Sequence, residues 1–442
     1  MTICVATDSF PPHNSGIATH NSCLVKLLQE AGHGIVVLTI DFSNLKGADT
    51  ITREDNITVV RLKNSYSEQY NYFNRFIKSG NREAVVWLSL GKAMRNWILT
   101  NNAAFNFDII ECSDYGGLGL FVSDPLLPPV VIMCHSMLTQ LSEHEFYNPD
   151  ENLSIIRFLE TNAIQQADAI ICHSPKNAEE ITKTFTKKAM YTTAPWINAT
   201  VPNQAGATIT FLIASRLQVC KGAVIMAETL LALQQEHPDI NVVWIGDDTY
   251  TGPEGTKVSK YLKKKFPSVW QKSFLWKKGV PRKELLENMD NSAVIIIPST
   301  WETFNYVALE AANRKKAMII TQQAGVSSLF IAGKEILLTD ADNIHSIADA
   351  MIKLKQDKEF IRLLGEQAFA GLERNFNRGK FLADRNEVTV NTILHDIFTM
   401  NIIPHTLENT TLKHLKVSNL VNLEIDQIAR YVERMAEWSR EK

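Results

Sequence analysis

The chain carries two successive series of short apolar runs, most of them followed by a helical segment. The first series is TICVAT (2–7), a helix near 17–32, IVVLTI (35–40), ITVVR (57–61), a long helical region near 68–101, DIIEC (108–112), PVVIMC (129–134) and DAIICH (168–173). The second is ITFLIAS (209–215), a helix over 222–236, NVVWIG (241–246), FLWKK (274–278), a short helix at 282–289, SAVIII (292–297), a helix from Tyr306, AMIIT (317–321) and EILLT (335–339). Runs without strict polar alternation are buried on both faces, which requires a mostly parallel sheet with helices on either side. The expectation is an α/β protein of two Rossmann-like, doubly wound domains, residues 1–195 and 208–375. They are joined by the Pro-, Asn-, Ala- and Thr-rich stretch APWINATVPNQAGAT (194–208). The two halves share a pattern but no repeated sequence, so they read as domains and not as a short-period array.

Composition narrows the function classes. With 442 residues, 45% hydrophobic and a formal net charge of -3, the chain offers no basic footprint for nucleic acid. No apolar run approaches the roughly 20 residues that span a bilayer. The first strand begins at Thr2 with no basic segment before it. Cys4, Cys112, Cys134 and Cys172 fall in apolar runs and read as small buried hydrophobes. No CxxC or Cys/His ligand spacing is present, so neither a metal nor a redox cofactor is expected, and a reducing, cytoplasmic setting is.

Open α/β sheets bind ligands beyond the carboxyl ends of their strands, so the loops there are where chemistry should lie. After the first strand comes DSFPPHNSGIAT, where Gly16 is either a plain turn glycine or a close approach of backbone to an anion at a helix N-terminus. The first strand of the second domain is followed by SRLQVCKG. Arg216 and Lys221 there are either solvated surface charges or, beside a positive helix terminus, ligands for a phosphate or pyrophosphate. After SAVIII comes PSTWETFNYVALEAA, with Glu302 in the loop and Glu310 inside the helix. Their spacing decides nothing, but a carboxylate one to two turns into such a helix can accept two hydrogen bonds from a diol such as a ribose.

In combination these residues resemble the retaining GT-B glycosyltransferases of family 4: Gly16 in PPHNSG, SRL-x3-KG, and PS-x2-E-x7-E, in order, over about residues 1–395. The resemblance implies GT-B architecture, two Rossmann-like domains facing across a cleft. It implies a nucleotide-sugar donor, a UDP- or GDP-sugar, bound mainly on the second domain. Arg216 and Lys221 would hold the diphosphate and Glu310 the ribose. Glu302 and the backbone of Thr303, Phe304 and Asn305 would hold the donor sugar, and His135, ending PVVIMC, would face it near the reacting carbon. Glu302 and His135 are thus the catalytic candidates. The acceptor would be a hydroxyl of a glycan, a lipid-linked glycan or a small molecule. The alternative within the fold is a phosphorylase, or a sugar-nucleotide epimerase or hydrolase, using phosphate or water.

Three positions depart from the family pattern. Ser15-Gly16 stands where the family commonly has Gly-Gly, and Phe304-Asn305 where it has Phe-Gly. GDD at 246–248 stands where the family often has Gly-x-Gly. Asn tolerates the left-handed conformation and caps helices. GDD, and DAD at 340–342, look like the Asp-x-Asp of metal-dependent transferases, but the cationic pair would do the metal's work, so no metal is expected.

Residues 61–96 hold seven basic and two acidic residues among several aromatics. They are either a helix pair packed on the first sheet or a peripheral contact with anionic lipid at the inner membrane face. Residues 376–398 are expected to form a helix returning to the first domain, as in the family. Residues 399–442, with apolar positions at 421, 425, 428, 432 and 435, are expected to form a helical extension that docks on the body or a partner.

Overall fold

The computed structural model describes residues 1–398 except 14, 78–81, 147–150, 199–207, 391–392 and 395–396; the expected extension at 399–442 lies outside the described residues. The first part runs β1 (Thr2–Ala6), α1 (Gly16–Glu30), β2 (Gly34–Ile40), β3 (Thr50–Glu54), β4 (Ile57–Leu62), α2 (Asn64–Phe73), α3 (Arg82–Phe105), β5 (Ile109–Ser113) and α4 (Gly119–Val122). It continues through β6 (Val130–Cys134), α5 (Leu138–Leu141), α6 (Glu151–Gln166), β7 (Ala169–Cys172), α7 (Pro175–Phe185) and β8 (Met190–Tyr191). The second part runs β9 (Thr208–Ala214), α8 (Ala223–Leu233), β10 (Val242–Ile245), α9 (Val258–Lys265), β11 (Phe274–Lys277), α10 (Arg282–Asp290) and β12 (Ser292–Ile297). It continues through α11 (Tyr306–Asn313), β13 (Ala317–Thr321), β14 (Leu337–Thr339), α12 (Ile344–Gln356), α13 (Lys358–Asn375), α14 (Arg378–Val390) and the strand pair β15 (Ile393–Leu394) and β16 (Ile397–Phe398).

Two separate sheets result. The first has the order β3-β4-β2-β1-β5-β6-β7-β8, parallel except for the edge pair β3/β4, and the second is β11-β10-β9-β12-β13-β14, parallel throughout. The direction of winding reverses between β1 and β5 in one sheet and between β9 and β12 in the other. Those are the points where an open parallel sheet leaves a crevice at its carboxyl edge. The loops after β1, β5, β9 and β12 therefore form the functional rim.

The sequence missed β3 because TITRE is exposed at every position, so it carries no buried stripe. The helical region expected near 68–101 is a pair of helices, α2 and α3. Their aromatics divide: Tyr66 and Trp87 join the first core, whereas Tyr72 (55%) and Phe76 (72%) stay exposed. Linker residues Ala194 and Trp196 pack into the second core.

Helix α14 returns to the first sheet. Phe381 and Val388 pack among Ile3, Val5, Leu24 and Val131. Asp384 accepts from the N–H of Thr193 at 2.7 Å, and Arg385 forms a buried ion pair with Glu111 of β5. Two ions taken out of water are tolerable only when paired this way.

Candidate functional site

The site grows from two loops of the second domain that fasten to each other. After β9, residues 215–222 turn into α8 through Gly222, whose φ is +87° and where a Cβ would lie 1.9 Å from the carbonyl oxygen of Pro298. Only glycine permits that approach. Thr300 donates its N–H to the Cys220 carbonyl at 2.8 Å. The consequence is that Lys221 meets the loop after β12. Its Nζ donates to Glu302 Oε1 at 2.5 Å, and Glu302 Oε2 accepts from Ser299 Oγ at 2.9 Å and Asn305 Nδ2 at 2.8 Å. Arg216, at the same strand end, is exposed and has no side-chain partner among the described residues.

Asn305 does two things at once. Its Oδ1 accepts from Ala308 N at 3.3 Å, capping α11, while its amide steadies Glu302. Its backbone, at φ 156° and ψ 104°, lies outside the left-handed helical conformation that Asn tolerates. The conformation it adopts is one that glycine takes and other residues rarely do, so the substitution of Gly by Asn is accommodated by strain offset through two side-chain bonds.

Glu310, inside α11, is buried, and Arg282 at the start of α10 pairs with it at 2.7 Å. Sequence reasoning overlooked Arg282; its only signal was a basic residue opening a helix after β11.

The GDD segment serves the same loops. A Cβ on Gly246 would lie 1.8 Å from the Ser215 carbonyl, Asp247 O accepts from Leu217 N at 2.8 Å, and Asp248 accepts from Ser259 N and Oγ at 3.2 and 2.6 Å. In DAD, Asp340 accepts from Gln323 Nε2 at 2.6 Å and Asp342 N at 3.0 Å. Among the described residues no group of three or more His, Cys, Asp or Glu is arranged to hold a metal.

The first domain supplies the opposite wall. Ser15 caps α1, accepting from Ala18 N at 3.0 Å, and Gly16 follows with open space in front of it: a Cβ there would meet nothing within 4 Å. Its φ is not positive, so no turn demands glycine at this point. The loop after β6 carries His135 and is held from below by Glu160 of α6, which accepts from Leu138 N at 2.8 Å and Thr139 N at 2.9 Å. Thr303 Oγ1 donates to the His135 carbonyl, and Ser174 Oγ to the Thr303 carbonyl at 2.6 Å, so the two domains touch beside the Glu302 loop. His20 of α1 adds another bridge, with Nδ1 2.9 Å from the Tyr306 hydroxyl. His144 stacks on Trp301 with ring centroids 4.8 Å apart, and Trp301 Nε1 donates to Glu180 at 3.3 Å.

Burial dominates the electrostatics of this wall. It pushes His135 down to about 3, assisted by His173, and His173 to about 4 against the Thr192 carbonyl. It raises Asp8 to about 6 and Asp114 to about 8. The N–H groups of His135 and Tyr115 pull Asp114 back down from nearby, although neither carboxyl oxygen of Asp114 gains a hydrogen bond of ordinary geometry.

Comparison with known proteins agrees with this geometry. Residues 14–191 match the Glycosyltransferase Family 4 domain and residues 199–370 the Glycosyl transferases group 1 domain. The D-inositol 3-phosphate glycosyltransferase of Corynebacterium urealyticum is 30% identical over 33% of this chain and 34% of its own length. The E. coli trehalose-6-phosphate protein bound with UDP-2-fluoro glucose superposes with a TM-score of 0.62 at 12% identity, covering 89% of this chain and 100% of that one, a likeness of fold. A different similarity is also present. Residues 388–426 match a Lumazine binding domain, and the riboflavin synthase of Photobacterium phosphoreum is 29% identical over 30% of this chain and 56% of its own length. The chain thus spans between about a third and just over half of the curated relatives it matches. With both transferase domains matched in order on two facing Rossmann-like sheets, the chain belongs to the GT-B glycosyltransferases of family 4.

Proposed function

We propose that this protein transfers a sugar from a UDP- or GDP-sugar to a hydroxyl acceptor with retention of configuration. The observation that carries the reading is the junction of the loops after β9 and β12, where Lys221, Glu302 and the N-terminus of α8 converge opposite His135. Breaking the bond to the diphosphate builds negative charge on phosphate and positive character on the sugar. Lys221, Arg216 and the α8 N–H groups are fixed donors for the first, and the Glu302 carboxylate is the counter-charge for the second. Glu310 would take the ribose hydroxyls, exchanging part of its contact with Arg282. His135, neutral when buried, would offer hydrogen bonding to the sugar and no charge. The departing phosphate would itself accept the acceptor's proton, so no carboxylate nucleophile is required.

The acceptor is a glycan, a lipid-linked glycan or a small molecule, met at the first-domain rim. The exposed pair Tyr72 and Phe76, rings 5.1 Å apart, supports a peripheral membrane contact there. No helix among the described residues is long and apolar enough to cross a membrane.

Isotope-labelled sugar nucleotides screened against acceptors test the reading: transfer should exceed donor hydrolysis or phosphorolysis, and should persist in EDTA. Release of sugar to water or phosphate alone would favour the phosphorylase or hydrolase alternative, and loss in EDTA restored by Mn²⁺ would overturn the metal-free mechanism. Replacing Arg216 and Lys221 together by Ala should weaken nucleoside diphosphate binding by roughly 2–4 kcal/mol, from charge-assisted bonds with incomplete additivity. A second reading concerns residues 388–426 alone: their match supports lumazine binding, which a fluorescence titration with a lumazine tests directly.

A further inference from the structure

The triplet Cys-His-Ser occurs twice, at 134–136 and 172–174, each time closing an apolar strand of the first sheet. Strands β6 and β7 are neighbours, and their register pairs Cys134 with Cys172. His135 and His173 therefore leave the sheet side by side, with ring centroids 6.2 Å apart. Nothing in the proposed chemistry uses His173, which is 4% exposed.

The protonation of His173 follows from its contacts. Its Nδ1 lies 3.2 Å from the carbonyl oxygen of Thr192 and 3.5 Å from the Thr192 hydroxyl; the hydroxyl can accept or donate, but the nearer carbonyl can be met only by an N–H, which assigns the proton to Nδ1 and leaves Nε2 as a bare acceptor. That Nε2 is buried and finds no hydrogen-bond partner among the described residues, and the same holds for Nε2 of His135. His20 is different. Its ring lies 4.5 Å from His135 and 4.8 Å from His173, but both its nitrogens are engaged, Nδ1 with Tyr306 and Nε2 with Met133 Sδ at 3.2 Å. Buried polar groups in folded proteins are nearly always satisfied, so an orphaned acceptor beside a ligand site marks where a ligand's donor belongs. The neighbouring element agrees. Ser174, the next residue, fastens to the Thr303 carbonyl, and the His173 ring lies 6.0 Å from that of Phe304.

We infer that His173 is a second imidazole of the donor-sugar subsite, its Nε2 accepting a hydrogen bond from a hydroxyl of the transferred sugar alongside His135. This rests on the sugar-nucleotide reading above. An uncharged acceptor at His173 suits a neutral, hydroxyl-bearing sugar; a uronosyl carboxylate would meet a lone pair there where it needs a donor. Burial keeps the ring neutral under physiological conditions.

The test is calorimetry on the full chain with UDP, UDP-glucose, UDP-glucuronate, GDP and GDP-mannose. His173→Asn keeps an N–H for the Thr192 carbonyl and removes Nε2. It should weaken binding of the intact neutral sugar nucleotide by about ten-fold, the value of a good hydrogen bond, and leave the matching nucleoside diphosphate within about two-fold. Equal loss for both ligands, no loss for either, or wild-type preference for UDP-glucuronate would overturn the inference. A wild-type chain that binds none of the five would instead sink the sugar-nucleotide reading. The wild type supplies an independent measurement if the variant melts early: the bare Nε2 nitrogen resonances should shift on adding the sugar nucleotide that binds and stay in place with its nucleoside diphosphate. Identical spectra with both would overturn the assignment.

Discussion

On the second-domain side of the crevice the carboxylates are met by their own neighbours, Glu302 by Lys221, Ser299 and Asn305, and Glu310 by Arg282. On the first-domain side Asp114 and His173 are buried and Asp8 and His135 half-buried, each with a buried polar atom that meets no partner among the described residues. The difference is between a charged wall that is already organised and a wall whose buried polar atoms meet no partner among the described residues. A phosphate arriving at the first kind must share Lys221 with Glu302, so its affinity is an exchange of ionic contacts and little reorganisation follows. A ligand arriving at the second kind relieves orphaned groups, so discrimination there depends on where its hydroxyls lie.

The pair Glu111–Arg385 is the exception that tests this contrast, because it is a buried ion pair within the first domain. Arg385→Leu would leave Glu111 buried and alone, a loss of about 3–5 kcal/mol. The double variant with Glu111→Leu should recover most of it. Chemical denaturation of both variants measures the effect; a single variant as stable as the wild type would show that α14 does not hold the first domain through this contact.

The charged wall should fail by kinetics. Glu302→Gln removes a charge whose worth lies in the transition state, so kcat should fall by roughly 10²-fold, about 2.7 kcal/mol, with donor KM little changed. Glu310→Gln touches a part of the donor that does not alter during reaction and should mainly raise KM. Small and equal effects in both would mean that the two carboxylates only support the start of α11.

What could be read in the sequence follows the same division. Arg216, Lys221, Glu302 and Glu310 sit in two short contiguous segments at strand ends, where position in the chain and place in the fold coincide. Arg282, His20 and His173 come from three separate elements outside those segments, and only the winding of the sheets brings them to the rim. Continuous apolar runs between helical segments made the two sheets legible, whereas β3, with no buried position, left no pattern to read. The twin Cys-His-Ser triplets were a visible signal, but a pair of strand-end histidines gains meaning only from the β6/β7 register. The lumazine-type similarity at 388–426 lay in a stretch whose apolar spacing suggested only a helix.

The last expected effect is on the pH dependence of stability, and it separates the histidines of the first-domain wall from its carboxyls. Folded His135 and His173 titrate near 3 and 4, and His20 well below its ordinary 6.5, burial being the main cause in each. Between about pH 4 and 6.5 the unfolded chain therefore binds protons that the folded chain refuses, and each of the three costs about 1.4 kcal/mol per pH unit as pH falls. Asp8 and Asp114 act oppositely, because their folded values, about 6 and about 8, lie above the ordinary 3.8. Their stabilisation is complete below 3.8 and is lost as pH rises through the folded values. Three histidines outweigh two carboxyls below pH 6, while above pH 6.5 Asp114 is the one of the five still shedding its proton, so stability should peak near pH 6.5 and decline toward 8. Asp114→Asn should flatten that alkaline limb and steepen the acid one. Thermal melts from pH 4 to 8 on both proteins decide it: an alkaline limb unchanged by the substitution would mean that the buried carboxyl of Asp114 is ionised throughout.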